Sequence, residues 1–198
     1  RGYRSIKEID GRIINATISR ERNNKYYISV VYEIPNIEKI IPRTIVGIDI
    51  GIKKLITLSD SSTYENNKYI EKYEKRIKRA QRELTRKKKG SKNYFKCKKK
   101  LNILYIKLAN ARKYYTHKIT REITDNYDII TCETLNTKKM IMNKERHLSK
   151  NISDATFSGI LRQLEYKTKE KGKYFYKIDP YYPSSQTCSV CNNIDKKY

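Results

Sequence analysis

The sequence predicts an α/β fold: short strands interrupted by a basic helical hairpin, preceded by a β-hairpin and followed by a short cysteine-bearing segment. Two observations predict it, and a third bears on its partner. Two β-branched runs, Thr44–Gly51 and Asp128–Glu133, read as short strands. Between them, Tyr73, Ile77, Ala80 and Leu84 recur at helical spacing, as do Leu101, Leu104, Leu108, Ala111 and Tyr115, giving the seams of two packed helices. Finally, 45 Lys and Arg stand against 21 Asp and Glu, a formal net charge of +24, which favours a polyanionic partner.

The elements follow in chain order. Runs at 12–19 and 26–32 flank the turn-like Asn23-Asn24 and read as a β-hairpin. Two strands alone are marginally stable, so the hairpin is expected to end a larger β-domain, with Pro35 to Pro42 as its linker. Strands follow at 45–50 and 55–59, with Gly51 in a tight connection, and Tyr69-Ile70 marks an end of a third, short strand. The helical region breaks at Gly90-Ser91 and runs on to about Thr124. Next come a strand at 127–133, an irregular polar stretch at 137–153 and an amphipathic helix at 156–171. Phe157, Ile160, Leu161 and Leu164 line one face of that helix, and Gly172 fits its C-terminal cap. A last strand, 174–178, stops at Asp179-Pro180.

Asp49 and Glu133 close the two β-branched runs. In a buried strand an unpaired carboxylate is costly, so a pair of them calls for a cation. Helices between strands permit parallel pairing, which would bring both acids to one sheet edge, where Mg²⁺ finds the hard oxygen ligands it needs. Alternatively, Asp49 caps the turn before Gly51 and Glu133 pairs with a nearby lysine. Asp60, in a turn composition, and Asp179, before a proline, are rival acids.

Between Lys75 and Lys100 the only acid is Glu83. Ordinary helix faces mix both signs, so Lys75, Arg79, Arg82, Arg86, Lys87, Lys88, Lys89, Lys92 and Lys96 read as phosphate contacts that give affinity and salt dependence rather than sequence specificity. The alternative is a solvated face. Cys188-x-x-Cys191 has the spacing of one arm of a zinc knuckle, half of the four-ligand set that structural Zn²⁺ requires. Cys97, Cys132, His117 and His147 show no paired spacing. Nucleic acid is the first-choice polyanion and an anionic membrane surface the weaker one; no stretch approaches the roughly 18 apolar residues of a membrane span, and no membrane partner is expected.

Several segments then resemble one family. Val46–Asp60 is similar to the first RuvC motif of the TnpB (OrfB) transposon-associated nucleases, and Ile130–Asn136 to the second. Arg86–Asn93 resembles the family's basic helix connection; Ile152–Ala155 and Leu164–Lys167 follow in the expected order. Pro183–Cys191 resembles the opening of the family's zinc ribbon. The resemblance spans about residues 12–192.

The resemblance implies a ribonuclease H-like (RuvC) mixed sheet at 44–179 with a helical hairpin at about 71–125. Residues 1–43 would end a β-barrel (wedge-like) domain, and 180–198 would be an incomplete zinc-ribbon segment. It implies an RNA-guided DNA endonuclease related to type V CRISPR effectors, labelled a transposase and linked to DNA recombination. Its partners would be DNA and a guide RNA, its cofactor Mg²⁺ (or Mn²⁺), and its place the cytoplasm at the nucleoid if prokaryotic. Asp49 and Glu133 match the first two metal-binding carboxylates. The third-motif Asp and the second Cys pair are expected beyond Tyr198, so the chain reads as a fragment truncated at both ends and inactive alone. Zn²⁺ would bind Cys188 and Cys191 only with that second pair. The alternative is a non-catalytic nucleic-acid-binding remnant or regulator.

Overall fold

The structure, a computed structural model, describes residues 11–21, 25–33, 35–133, 156–179, 191 and 193. Its elements are β1 (Arg12–Arg20), β2 (Tyr26–Glu33), β3 (Ile45–Ile50), β4 (Lys54–Leu58), β5 (Thr63–Glu65), α1 (Tyr69–Thr85), α2 (Lys92–Asn126), β6 (Ile129–Glu133), α3 (Phe157–Glu170) and β7 (Tyr174–Ile178). They divide into two compact units.

One unit holds β1, β2, α1 and α2 as far as Tyr114. β1 and β2 pair antiparallel, with an irregularity between Ile13 and Asn15. α1 and α2 share an apolar cluster in which Ile77, Leu101 and Leu108 are buried, with Tyr73, Ala80, Leu84 and Leu104 packed beside them. These are the seam positions that the 3- and 4-residue spacing selects. Gly90, at φ +82°, turns the chain between the helices, a conformation glycine adopts without penalty. Ser91 then caps α2, its Oγ accepting the Tyr94 N–H at 3.1 Å.

The other unit is built on a five-stranded mixed sheet of order β5-β4-β3-β6-β7. β3, β4 and β5 are antiparallel neighbours, while β3, β6 and β7 run parallel. One face of the sheet, with Val46, Ile48, Ile50, Ile130 and Cys132, packs on Ile119 and Ile123 of α2 and on Phe157, Ile160 and Leu164 of α3. α3 ends as its sequence directs: Gly172 has φ +65°, and its N–H reaches Lys169 O while that of Lys173 reaches Thr168 O, a Schellman-type stop.

Tyr69-Ile70 is not at a strand end. These residues open α1, because they continue the helical seam with Tyr73 and Ile77. The third short strand lies earlier, at Thr63–Glu65, on the outer edge of β4. Gly51 does make the tight β3–β4 connection, its N–H donating to Leu55 O at 3.2 Å. A Cβ there would lie 2.9 Å from Lys54 O, closer than real Cβ atoms approach.

Candidate functional site

Parallel pairing of β3 with β6 runs Ile45↔Ile129 through Ile48↔Cys132. One further residue along both strands, Asp49 comes level with Glu133. Asp49 also pairs with Thr57 of β4, and Glu133 with Ile178 of β7. Paired residues share a face and faces alternate along each strand. Asp49 and Glu133 therefore stand on one face in the row Thr57, Asp49, Glu133, Ile178. The next row on that face is Gly47, Thr131, Tyr176, and then Ile45, Ile129, Tyr174.

Both carboxylates are exposed. The expectation of buried acids is corrected by this alternation: in β3 the buried positions are Val46, Ile48 and Ile50, and Asp49 points to the other face. In β6, Ile130 and Cys132 are the buried positions and Glu133 is not. Desolvation therefore does not mark these acids out; what sets them apart is that they are neighbours on one exposed face. Small and hydroxylated residues surround them. Ser59 Oγ accepts the Gly47 N–H at 3.1 Å, and the Ser59 N–H donates to Gly47 O at 3.0 Å.

The parallel register is pinned at its start by a residue whose role the sequence did not reveal. Asp128, just before β6, accepts the backbone N–H groups of Arg43 (3.0 Å) and Thr44 (3.3 Å) and pairs with Lys173 at 3.2 Å. These contacts, the Arg43 N–H first, hold its carboxyl down at about 2. Lys173 also donates to the carbonyls of Thr124, Asp125 and Tyr127 at the end of α2, where a cation offsets the helix dipole. The sequence signal was only an acid at the edge of an apolar run.

The rival acids have other surroundings. Asp60 accepts from the Ser62 N–H (2.8 Å) and Ser62 O–H (2.6 Å), and from the Tyr127 hydroxyl. These bonds, the Ser62 hydroxyl first, hold its carboxyl below the usual range. Asp179 is exposed, one residue past Ile178. Among the described residues, no group of three His, Cys, Asp or Glu is arranged to hold a metal ion. Two adjacent carboxylates nevertheless fit Mg²⁺, which one or two carboxylates commonly hold with water and substrate phosphates completing the shell.

The basic residues Lys75, Arg79, Arg82, Arg86, Lys87, Lys88, Lys89, Lys92 and Lys96 are all exposed. On α1 two cations are partly balanced, Lys78 by Glu74 at 2.8 Å and Arg79 by Glu83 at 3.5 Å. α2 has no acid before Glu122. Cys132 is buried, and burial pushes its thiol up to about 11, which suits a packing role. Cys191 is exposed and free of disulfide. Cys188, His147, the second motif after Glu133, and Ile152–Ala155 lie outside the described residues. No described helix is long and apolar enough to cross a membrane.

Comparison with known proteins places these features in context. Residues 29–144 match the IS605 OrfB family, described as a probable transposase, and residues 157–198 match a Cas12f1-like TNB domain. A relative from Escherichia coli (strain K12), named "Putative RNA-guided DNA endonuclease InsQ", is 32% identical across 98% of this chain and 52% of its own length. A "Putative RNA-guided DNA endonuclease" of Streptomyces pristinaespiralis is 30% identical across 91% of this chain and 44% of its own. The chain thus spans about half the length of these curated relatives. A solved Cas12f1-sgRNA-target DNA complex superposes with a TM-score of 0.59 at 21% identity, covering 91% of this chain and 38% of that one, a likeness of fold.

Proposed function

Because the chain belongs to the IS605 OrfB family of probable transposases, we propose that it is the ribonuclease H-like (RuvC) portion of a transposon-encoded, RNA-guided and metal-dependent DNA endonuclease. The observation that carries this function is the parallel β3–β6 register, whose last pair, Ile48↔Cys132, stands one residue before Asp49 and Glu133, both of them exposed. The names of the relatives, and the sgRNA and target DNA of the solved Cas12f1 complex, support the choice of partners.

The carboxylate oxygens of Asp49 and Glu133 would hold a divalent ion, Mg²⁺ or Mn²⁺. When bound, such an ion polarises the scissile phosphate and provides a water of lowered pKa. The chain's own residues do the rest. Through that ion, Asp49 and Glu133 would position the reacting phosphodiester at the C-terminal ends of β3 and β6. The lysines and arginines of α1, α2 and their connection neutralise phosphates. A third carboxylate from the rest of the full-length protein would complete the centre. Cys188 and Cys191 would supply half of a Zn²⁺ site within a ribbon. The wedge-like role of residues 1–43 belongs to the same proposal.

The test is cleavage by the full-length protein with its guide RNA and Mg²⁺. Asp49→Ala and Glu133→Ala are each expected to lower the cleavage rate by at least about a hundredfold, the general scale for removing a principal electrostatic contributor. Unchanged cleavage by Asp49→Ala would falsify the catalytic assignment. A second function, nucleic-acid binding without cutting, is carried by the +24 charge alone. It predicts salt-dependent binding with no metal-dependent product.

A further inference from the structure

The outer face of α2 differs from that of α1 in a way that charge counting alone does not show. Tyr94, Cys97, Leu101, Leu104 and Leu108 form the inward side of the helix. At about 100° per residue, Lys92, Phe95, Lys96 and Lys99 fall on the opposite side. Phe95 is 57% exposed. Its ring and that of Tyr94 form a T-shaped pair, with centroids 5.7 Å apart and planes at 79°, which steadies it. Farther along the same side, Ile103 is 37% and Tyr114 73% exposed. This side alternates cations with apolar and aromatic groups and carries no acid, whereas α1 commits part of its charge to Lys78–Glu74 and Arg79–Glu83 pairs.

A row of lysines alone fits any polyanion. An aromatic ring among them fits one whose bases are unpaired, because a base stacked in a duplex offers no free π-face. The exposed Asn110 and half-buried Asn102 on this side add amides that both donate and accept, a match for ribose 2′-hydroxyls. We propose that the outer face of α2 binds an unpaired RNA segment, with Phe95 stacking on a base while Lys92, Lys96 and Lys99 hold the flanking phosphates. This deepens the nucleic-acid function above and rests on it, but it needs neither the carboxylates nor a metal.

The experiment exploits a gap in the composition: the chain has no Trp. Phe95→Trp introduces a single indole at the proposed platform. The 198-residue chain is titrated, in EDTA, with an unstructured RNA of about 15 nucleotides, near the upper site size for one single-strand-binding module, with DNA of the same sequence, and with the RNA annealed to its complement. Trp emission and the anisotropy of a labelled strand are followed together. Single-stranded RNA is expected to quench the indole. Phe95→Ala is expected to weaken its binding about fivefold to a hundredfold, the range for loss of one base–aromatic stack, with less than about twofold effect on the duplex. Phe95→Leu, which keeps apolar bulk but loses the ring, should behave like Phe95→Ala, with circular dichroism unchanged in both. No quenching, or Phe95→Ala affecting strand and duplex alike, would overturn the stacking role. Tighter binding of the DNA strand would overturn the choice of RNA. Because EDTA excludes cleavage, failure of the endonuclease proposal leaves these readouts intact.

Discussion

At the scale of residues, the two acids were legible in the sequence as carboxylates at the ends of β-branched runs. Their exposure was not, because a run such as Ile48-Asp49-Ile50 has the composition of a buried strand whichever face Asp49 takes. Asp128 was less legible still, since its partners lie 85 residues earlier, at Arg43, and 45 later, at Lys173. Its depressed pKa has a definite consequence. A carboxyl at about 2 when folded, against an ordinary 3.8, adds stability that is present above the ordinary value and fades as pH falls through the folded value. The melting temperature is therefore expected to fall between about pH 4 and pH 2, and Asp128→Asn should flatten that part of the profile. Calorimetry across this window checks it; identical profiles would refute the anchor. Gly51→Ala, which forces a Cβ to 2.9 Å from Lys54 O, should cost about 1–3 kcal/mol, as overpacking does. Urea denaturation measures this directly.

At the scale of elements, spacing rules foretold both long helices and the last strand, while the contact between α2 and α3 escaped them. Thr116, Thr120 and Gln163 are buried in it, where the pattern alone suggests apolar packing. Gln163 bridges the Thr120 hydroxyl at 2.9 Å and the Thr116 hydroxyl at 3.0 Å. Lys167 Nζ donates to His117 O and Thr120 Oγ1, both at 2.8 Å, and burial lowers its pKa. Buried polar groups hold their elements in one arrangement because each would be left unpaired in another. Gln163→Leu strands two threonine hydroxyls from this partner and is expected to destabilise the fold by about 1–3 kcal/mol. Thr120→Val in the same background should add less than it does alone, since the two share a bond. A double-mutant cycle by denaturant titration tests the coupling; strict additivity would show that the network is not one.

At the scale of the whole molecule, charge dominates. Each phosphate neutralised on a single strand contributes about −0.7 to the slope of log affinity against log salt. Replacing Lys92, Lys96 and Lys99 together by Gln should make that slope shallower by about 2, and binding isotherms between low and moderate salt would show it. An unaltered slope would place the contacted phosphates elsewhere. The excess of charge was plain from the sequence. Its division between a partly balanced α1 and an acid-free outer α2 face required helix boundaries and ion pairs.

The Asp128 anchor also bears on how such a chain can change over evolutionary time. It sets the starting point of β6, and Glu133 lies five residues downstream, roughly 16 Å at the rise of an extended strand. Between them the segment works as a ruler. One residue gained or lost there would turn Glu133 onto the helix-covered face. The connection between α1 and α2, residues 86–91, is under no such rule, because it lies outside both helices and the anchor restores the count after it. Descendants of this gene should therefore vary in the length of that connection and almost never in the distance from Asp128 to Glu133.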